Sequence, residues 1–164
     1  MIKLRKIGPD EWEIWKHQRL AALTKAPYAF SSKLADWENV SEQRWRDRLS
    51  IHGGYQVVAS LQDTIVGMAG GVLLPEPGVA ELISMWVAPS ARGRGVGDAL
   101  IADVEEWAYG TGATILQLSV AENNYPALKL YFRNGFVDVE LKTSDMEIND
   151  MYSERVMVKR KPSV

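Results

Sequence analysis

A glycine-rich loop between two differently patterned segments constrains the fold more than any other feature. Residues 79–87 are mostly apolar and are soon followed by a proline, which predicts a strand. Residues 95–110 repeat apolar side chains at helical spacing, which predicts an amphipathic helix. A strand, a loop and a helix in this order are typical of the crossover connections of sheets that contain parallel strands.

The composition of the loop indicates an anionic ligand. Gly93, Gly95 and Gly97 leave backbone amides open, and amides at a helix N-terminus favour negative charge. Arg92 and Arg94 add positive charge. The loop therefore predicts a phosphate or pyrophosphate site. The alternative is a glycine-rich turn that only lets the helix pack on the sheet.

Two common nucleotide-binding motifs fit the loop badly. A P-loop ends in Gly-Lys-Ser/Thr, whereas this loop ends Gly97-Asp98. A dinucleotide fingerprint reads Gly-x-Gly-x-x-Gly directly after the first strand, whereas these glycines alternate in the middle of the chain.

Periodicity along the whole chain predicts the order β-α-α-β-β-β-α-β-α-β-β. The predicted strands cover residues 1–7, 55–61, 64–74, 79–87, 114–120, 136–142 and 151–159, and the predicted helices cover 10–24, 41–51, 95–110 and 124–134. Gln62-Asp63 is the predicted turn of a hairpin. The order predicts a mixed α/β (α+β) fold, with a central, mostly antiparallel sheet of about seven strands and about four helices on its two faces.

Composition excludes several classes of protein. A length of 164 residues predicts one domain, 1–164. A formal net charge of −2 disfavours a nucleic-acid partner. The absence of cysteine and the presence of only His17 and His52 exclude a thiolate nucleophile and predict no metal site; both histidines are interpreted as structural or surface residues. The apolar runs are too short for a membrane span, so we expect a cytoplasmic protein.

Two motifs in this order resemble the GCN5-related N-acetyltransferase (GNAT) superfamily. The first is Arg92-x-x-Gly95-x-Gly97 after the central strand. The second is the run Leu118-x-Val120-x-x-x-Asn124-x-x-Ala127-x-x-x-Tyr131-x-x-x-Gly135-Phe136. With the preceding strand, the resemblance covers roughly residues 81–136.

The resemblance implies that acetyl-CoA or another acyl-CoA is the donor, with no metal. It implies that two parallel strands, 82–87 and 114–120, are splayed and that the pantetheine arm lies between them. The implied coenzyme contacts are the pyrophosphate-binding loop and the end of the central strand: Arg92, Gly93, Arg94, Gly95, Val96 and Gly97, with Met85, Trp86 and Val87.

Asn124, Ala127 and Tyr131 lie on one face of the later helix. The resemblance implies that all three contact the coenzyme and that Tyr131 protonates the departing thiolate. The alternative for Asn124 is a helix cap, and the alternative for Tyr131 is a core aromatic residue. Glu81 lies at the offset of the strand glutamate that serves as base in some members, although a solvated charge at a strand end explains it equally well.

The implied acceptor is a primary amine, in a small molecule or a peptide, that attacks the thioester directly. Its pocket is expected near aromatic and acidic residues of two segments: Tyr28, Phe30, Asp36, Trp37 and Glu38, and Asp145, Glu147 and Asp150.

Two alternative functions remain, a non-catalytic acyl-CoA-binding sensor and a nucleotide-binding module. Small members of the family are commonly dimers, so a homodimer is expected as well.

Overall fold

The computed structural model describes residues 1–25, 33–51, 53–139 and 154–163. The strands are β1 (Ile2–Lys6), β2 (Gly54–Leu61), β3 (Thr64–Leu73), β4 (Val79–Val87), β5 (Ile115–Ala121), β6 (Val137–Asp138) and β7 (Glu154–Arg160). The helices are α1 (Trp12–Lys25), α2 (Leu34–Trp37), α3 (Glu42–Leu49), α4 (Val96–Gly110) and α5 (Tyr125–Arg133).

The strands form one sheet in the order β1-β2-β3-β4-β5-β7-β6. The pair β4–β5 is parallel and the other five pairs are antiparallel. This confirms the predicted mixed, mostly antiparallel sheet. The prediction of about four helices is confirmed as well: the described residues contain five, of which α2 is a single turn that is too short to show a helical period.

The turn between β2 and β3 lies where the sequence predicted it. Leu61 pairs with Thr64, and the two residues between them, Gln62 and Asp63, have φ of 49° and 64°. Positive φ at both central residues is the conformation that matches the twist of a two-residue hairpin. Neither residue is glycine, so both carry some backbone strain. The turn fixes the register of β2 on β3.

Apolar side chains on both faces of the sheet form two cores. Along β2, Val57 and Ala59 belong to a core that includes residues of α4 and α5, whereas Val58 belongs to a core with Trp15 of α1 and Trp45 of α3. Successive residues of a strand point to opposite faces, so the alternation places α4 and α5 on one face and α1 and α3 on the other.

The strands β4 and β5 separate after a short stretch of pairing. They pair at Val79↔Ile115, Ala80↔Leu116 and Glu81↔Gln117 only. Beyond this point β4 continues along β3, and β5 continues along β7 as far as Ala121. The expected splay of the two parallel strands is confirmed, and it opens the sheet at its centre.

Within the part of the chain described, no helix is long and apolar enough to cross a membrane.

Candidate active site in the cleft between the splayed strands

A cleft of about 910 Å³ lies where β4 and β5 separate. Residues of six parts of the fold line it: the strands β4, β5 and β7, the loop before α4 with the first turn of that helix, the helix α5 with its N-cap, and the helices α1 to α3. Its volume falls in the range of about 300–1,000 Å³ that is usual for ligand-binding sites. We call it the central cleft.

A β-bulge shapes the wall that β4 contributes. The register with β3 moves from Gly70↔Ile83 to Met68↔Trp86, so two residues of β4 lie opposite one residue of β3. One of these two, Ser84, has φ of 56°, which is uncommon for a serine. Such bulges bend a strand and are frequent beside functional sites. Here the bulge bends β4 within the segment that lines the central cleft.

Backbone groups at the end of β4 face the opening. The N–H of Ala88 donates to the carbonyl oxygen of Val66 on β3 at 2.7 Å. Because successive N–H groups of a strand point to opposite edges, the N–H and carbonyl of Val87 point toward the opening. The Nε of Arg92 donates to this carbonyl at 3.1 Å, which ties the glycine loop to the end of the strand.

The three loop glycines are required for different reasons. Gly93 and Gly95 have φ of 77° and 84°, a region that disfavours residues with a side chain. Gly97 has no such angle, but a Cβ there would lie 2.9 Å from Leu130 Cδ2 of α5. The first two therefore set the course of the loop, and the third lets α4 pack closely on α5.

The loop presents several free amide donors. Among the described residues, the amides of 93–98 donate to no backbone carbonyl, as expected for a loop followed by the first turn of a helix. All the loop residues expected to bind the coenzyme line the central cleft except Arg94, whose side chain is exposed. Arg94 is therefore not brought to the site with the others.

Asp98, the acidic residue beside the expected anion site, is engaged elsewhere. It accepts hydrogen bonds from Arg133 at 3.0 Å and from the amide nitrogen of Asn134 at 2.8 Å. The cation of Arg133 offsets the charge of Asp98, and the contacts tie the first turn of α4 to the end of α5. The carboxylate of Asp98 therefore repels an anion on the loop less than an unpaired carboxylate would.

The helix α5 brings three expected coenzyme contacts to the cleft, namely Asn124, Ala127 and Tyr131. Asn124 occupies the N-cap position, yet within the described residues its side chain makes no capping hydrogen bond. Its amide is therefore available to a ligand. Tyr131 is 7% exposed and packs edge-on against Phe136, with ring centroids 5.9 Å apart.

Burial changes the acidity of both expected proton-transfer groups. It raises the pKa of Tyr131 above its ordinary value, so the phenol stays protonated at neutral pH. Burial also raises the pKa of the half-buried Glu81, and the negative charge of Glu154 raises it further. A carboxyl group with a raised pKa is a better base at neutral pH than a solvated one.

A group of arginine and tryptophan residues lines the end of the cleft formed by α1 to α3. It comprises Trp15, Arg19, Trp37, Trp45 and Arg48. Neither arginine belongs to a motif of the sequence. Each arginine lies one helical turn after a buried tryptophan, Arg19 after Trp15 and Arg48 after Trp45, and this spacing is the signal that could have identified them.

The expected acidic rim is only partly within the described residues. Trp37 lines the cleft, as expected, but Asp36 and Glu38 are not among the lining residues. The other residues expected there lie outside the described residues: Tyr28, Phe30, Asp145, Glu147 and Asp150. His52 also lies outside them, and His17 is exposed and away from the cleft.

Comparison with known proteins agrees with this geometry. The family model described as "Acetyltransferase (GNAT) family" matches residues 17–136, which is most of the chain. The chain belongs to the GNAT acetyltransferase family. A crystal structure of a GNAT-family acetyltransferase from Streptococcus pneumoniae shares 20% identity, with a TM-score of 0.77 over 99% of this chain and 100% of that one.

Two further relatives are informative for this GNAT-family chain. The PaiA N-acetyltransferase of Thermoplasma acidophilum, solved in complex with coenzyme A, has a TM-score of 0.73 and 18% identity over 98% of this chain and 99% of that one. A mycothiol acetyltransferase of Renibacterium salmoninarum is 28% identical over an alignment of 140 positions that covers 82% of this chain. The chain spans only 40% of the length of that curated relative.

Proposed function

We propose that the chain is an N-acetyltransferase that transfers an acetyl group from acetyl-CoA to a primary amine by direct attack within a ternary complex. The observation that carries the proposal is the splay of β4 from β5 directly beside a loop of unpaired amides. A long donor with an anionic end and amide groups along its arm fits this combination.

The residues of this chain fit coenzyme A along the length of the cleft. The amides of 93–98 and the positive end of the α4 dipole would hold the pyrophosphate. The backbone groups of Met85 and Val87 on the open edge of β4 would bond the amides of the pantetheine arm, and Trp86 between them would contact the coenzyme from the cleft wall. Asn124 and Ala127 would form the opposite wall.

The donor supplies a thioester, whose carbonyl carbon forms the new C–N bond as the C–S bond breaks. The N–H of Val87 would donate to the carbonyl oxygen as negative charge develops there. Removal of one such donor costs about 2.7–4 kcal/mol in other acyl transfers. Tyr131 would donate its hydroxyl proton, or a hydrogen bond, to the departing thiolate.

The raised pKa of Tyr131 favours the hydrogen bond over early proton transfer. A phenol is a weaker acid when it is buried, so ionisation of Tyr131 alone is unfavourable. A thiolate leaving in the same buried place has a raised pKa for the same reason. The difference between the two pKa values therefore decides how far the proton moves.

Glu81 would accept the proton of the amine, directly or through water. An alkyl amine with a pKa of about 10.4 needs about 4.6 kcal/mol to become neutral at pH 7, and an α-amine near 8 needs about 1.4 kcal/mol. Glu81 would also attract the amine while the amine is still protonated. Glu154 would add to this attraction, because both carboxylates line the central cleft.

The proposal also covers the domain organisation, the cellular location and the oligomeric state of the enzyme. The single sheet of the described residues supports one N-acetyltransferase domain over 1–164. A cytoplasmic location and a homodimer are part of the same proposal.

The test is release of the thiol from acetyl-CoA in the presence of a broad panel of amines, with identification of the acetylated product by mass spectrometry. We expect release that depends on the amine. Binding of acetyl-CoA without release for any amine would favour the sensor instead. Binding of ATP or GTP without binding of acetyl-CoA would favour the nucleotide-binding module.

A further inference from the structure

The end of the central cleft beside α1 and α3 is built from cations and aromatic rings. We call it the arginine end and define it by Trp15, Arg19, Trp45 and Arg48. The guanidinium of Arg48 lies 6.0 Å from the ring centroid of Trp15, a cation–π contact that holds it against the wall. Both arginines are half-buried, so their charges are only partly solvated.

Hydrogen-bond donors at this end lack acceptors. Within the described residues, the buried Nη1 of Arg48 and the buried indole nitrogens of Trp45 and Trp86 have no hydrogen-bond partner. All three residues line the central cleft. Guanidinium and indole N–H groups can only donate. A ligand group that satisfies them must therefore carry hydrogen-bond acceptors, and the oxygens of an anion are the strongest ones for a guanidinium.

The charges of the two arginines also favour an anion. Burial, and after it the positive charge of Arg48, lower the pKa of Arg19 to about 10. Burial lowers the pKa of Arg48 as well. Burial disfavours the cationic form of an arginine, and an anion bound at this end of the cleft would offset that effect.

The same cleft carries a negative group for an amine. Glu81 and Glu154 line it together with the arginines. A molecule with an amine and an anionic oxygen group carries a charge complementary to each kind of residue. The tryptophan rings offer apolar area for the part that joins the two groups.

We propose that the acceptor is a small amine that also carries an anionic oxygen group, a carboxylate or a phosphonate, and that Arg48, with Arg19 beside it, binds that group. The proposal rests on the proposed N-acetyltransferase function and names the class of its acceptor. It adds one cationic end to the cleft, beside the acidic and aromatic rim that the sequence predicts.

The test compares matched acceptors. For alanine, leucine and phenylalanine, kcat/KM is measured with the free amino acid, its neutral amide and its aminophosphonate analogue, and simple amines such as phenethylamine complete the panel. The amine of an amide has a lower pKa than that of the free amino acid. Acid–base chemistry alone therefore favours the amide, and a preference for the acid reports recognition of the anion.

Variants of Arg48 assign the recognition to this residue. Arg48→Gln keeps most of the side chain that packs on Trp15 and removes the charge, and Arg48→Lys keeps the charge without the planar fork. Arg46→Gln is the matched control, because Arg46 lies on the same helix, pairs with Glu42 and Asp10, and does not line the cleft. Acetyl-CoA binding by each variant shows that the donor site and the fold are intact.

We expect kcat/KM for the anionic acceptors to exceed that for their amides by roughly 10- to 100-fold. This ratio corresponds to the usual free energy of hydrogen bonds to a charged group. Arg48→Gln should lose this preference through KM, Arg48→Lys should keep part of it, and Arg46→Gln should keep it whole. The aminophosphonates show whether the carboxylate or the phosphonate is bound better.

Two results would overturn the proposal, and they are distinguishable. Transfer to neutral amines that equals or exceeds transfer to their anionic partners would refute the anionic acceptor and leave the N-acetyltransferase function standing. Binding of acetyl-CoA without transfer to any amine of the panel would refute the function itself, and the acceptor class with it.

Discussion

Replacement of Tyr131 by phenylalanine separates catalysis from binding. The substitution removes one hydroxyl group from a ring that is 7% exposed and keeps the edge-on contact with Phe136. We therefore expect the free energy of unfolding to change by less than about 1 kcal/mol, because an isosteric apolar change in a core is usually tolerated. The affinity for acetyl-CoA should change little for the same reason.

The rate should fall much more. Loss of a hydrogen bond to a charged group costs about 1.5–3 kcal/mol, which is about 10- to 160-fold in rate. Full general-acid catalysis would be worth about 10²- to 10⁴-fold. Because the pKa of Tyr131 is raised above its ordinary value of 10.0, its ionisation should produce no loss of activity in the wild type below pH 10.

The assay is thiol release at saturating acetyl-CoA, with the donor affinity measured separately by tryptophan fluorescence. The matched control is Tyr109→Phe, which removes the same group from α4, away from the cleft, where the hydroxyl has no partner among the described residues. A normal kcat for Tyr131→Phe, or an equal loss in the control, would remove Tyr131 from the mechanism.

Further predictions concern the loop and the base. Gly95→Ala should lower stability by about 1–2 kcal/mol because φ is 84° there, while space is ample since the nearest atom to a Cβ is 3.9 Å away. Gly95→Glu should bind acetyl-CoA much more weakly than Gly95→Ala does. Equal affinities of the two variants, measured by calorimetry, would show that the loop does not bind the phosphate. Glu81→Gln should lower kcat by about 10²- to 10⁴-fold. The raised pKa of Glu81 means that its carboxylate destabilises the fold at pH 7, so this variant should melt at a higher temperature than wild type, with the gap closing as pH falls toward 4. A lower melting temperature at pH 7, or an unchanged kcat, would contradict this role.

Local patterns in the sequence predict the regular elements well. The predicted strand 79–87 matches β4, and the predicted helix 95–110 differs from α4 by one residue. The hydrophobic period and the proline and glycine signals lie within the elements themselves, so no tertiary information is needed. The bulge at Ser84 carries no such signal, because positive φ at a serine results from its surroundings.

Features of the site that depend on tertiary contacts were harder to predict. The motif placed the loop glycines and Tyr131 at the cleft, but it did not show that Gly97 is required by contact with Leu130. Arg19 and Arg48 are brought to one cleft by the packing of α1 against α3. Nothing in the sequence around one arginine indicates the other, so only the three-dimensional structure shows that their two positive charges lie together at the arginine end.

Thermal unfolding with and without acetyl-CoA tests the central claim most directly. At about 100 times the dissociation constant, a ligand that binds only the folded state adds about 2.7 kcal/mol of stability. For a chain of this length, the midpoint should rise by roughly 5–11 °C. We expect a rise of this size with acetyl-CoA and none with ATP or NAD. An unchanged midpoint at millimolar acetyl-CoA would contradict the assignment of the central cleft as the donor site.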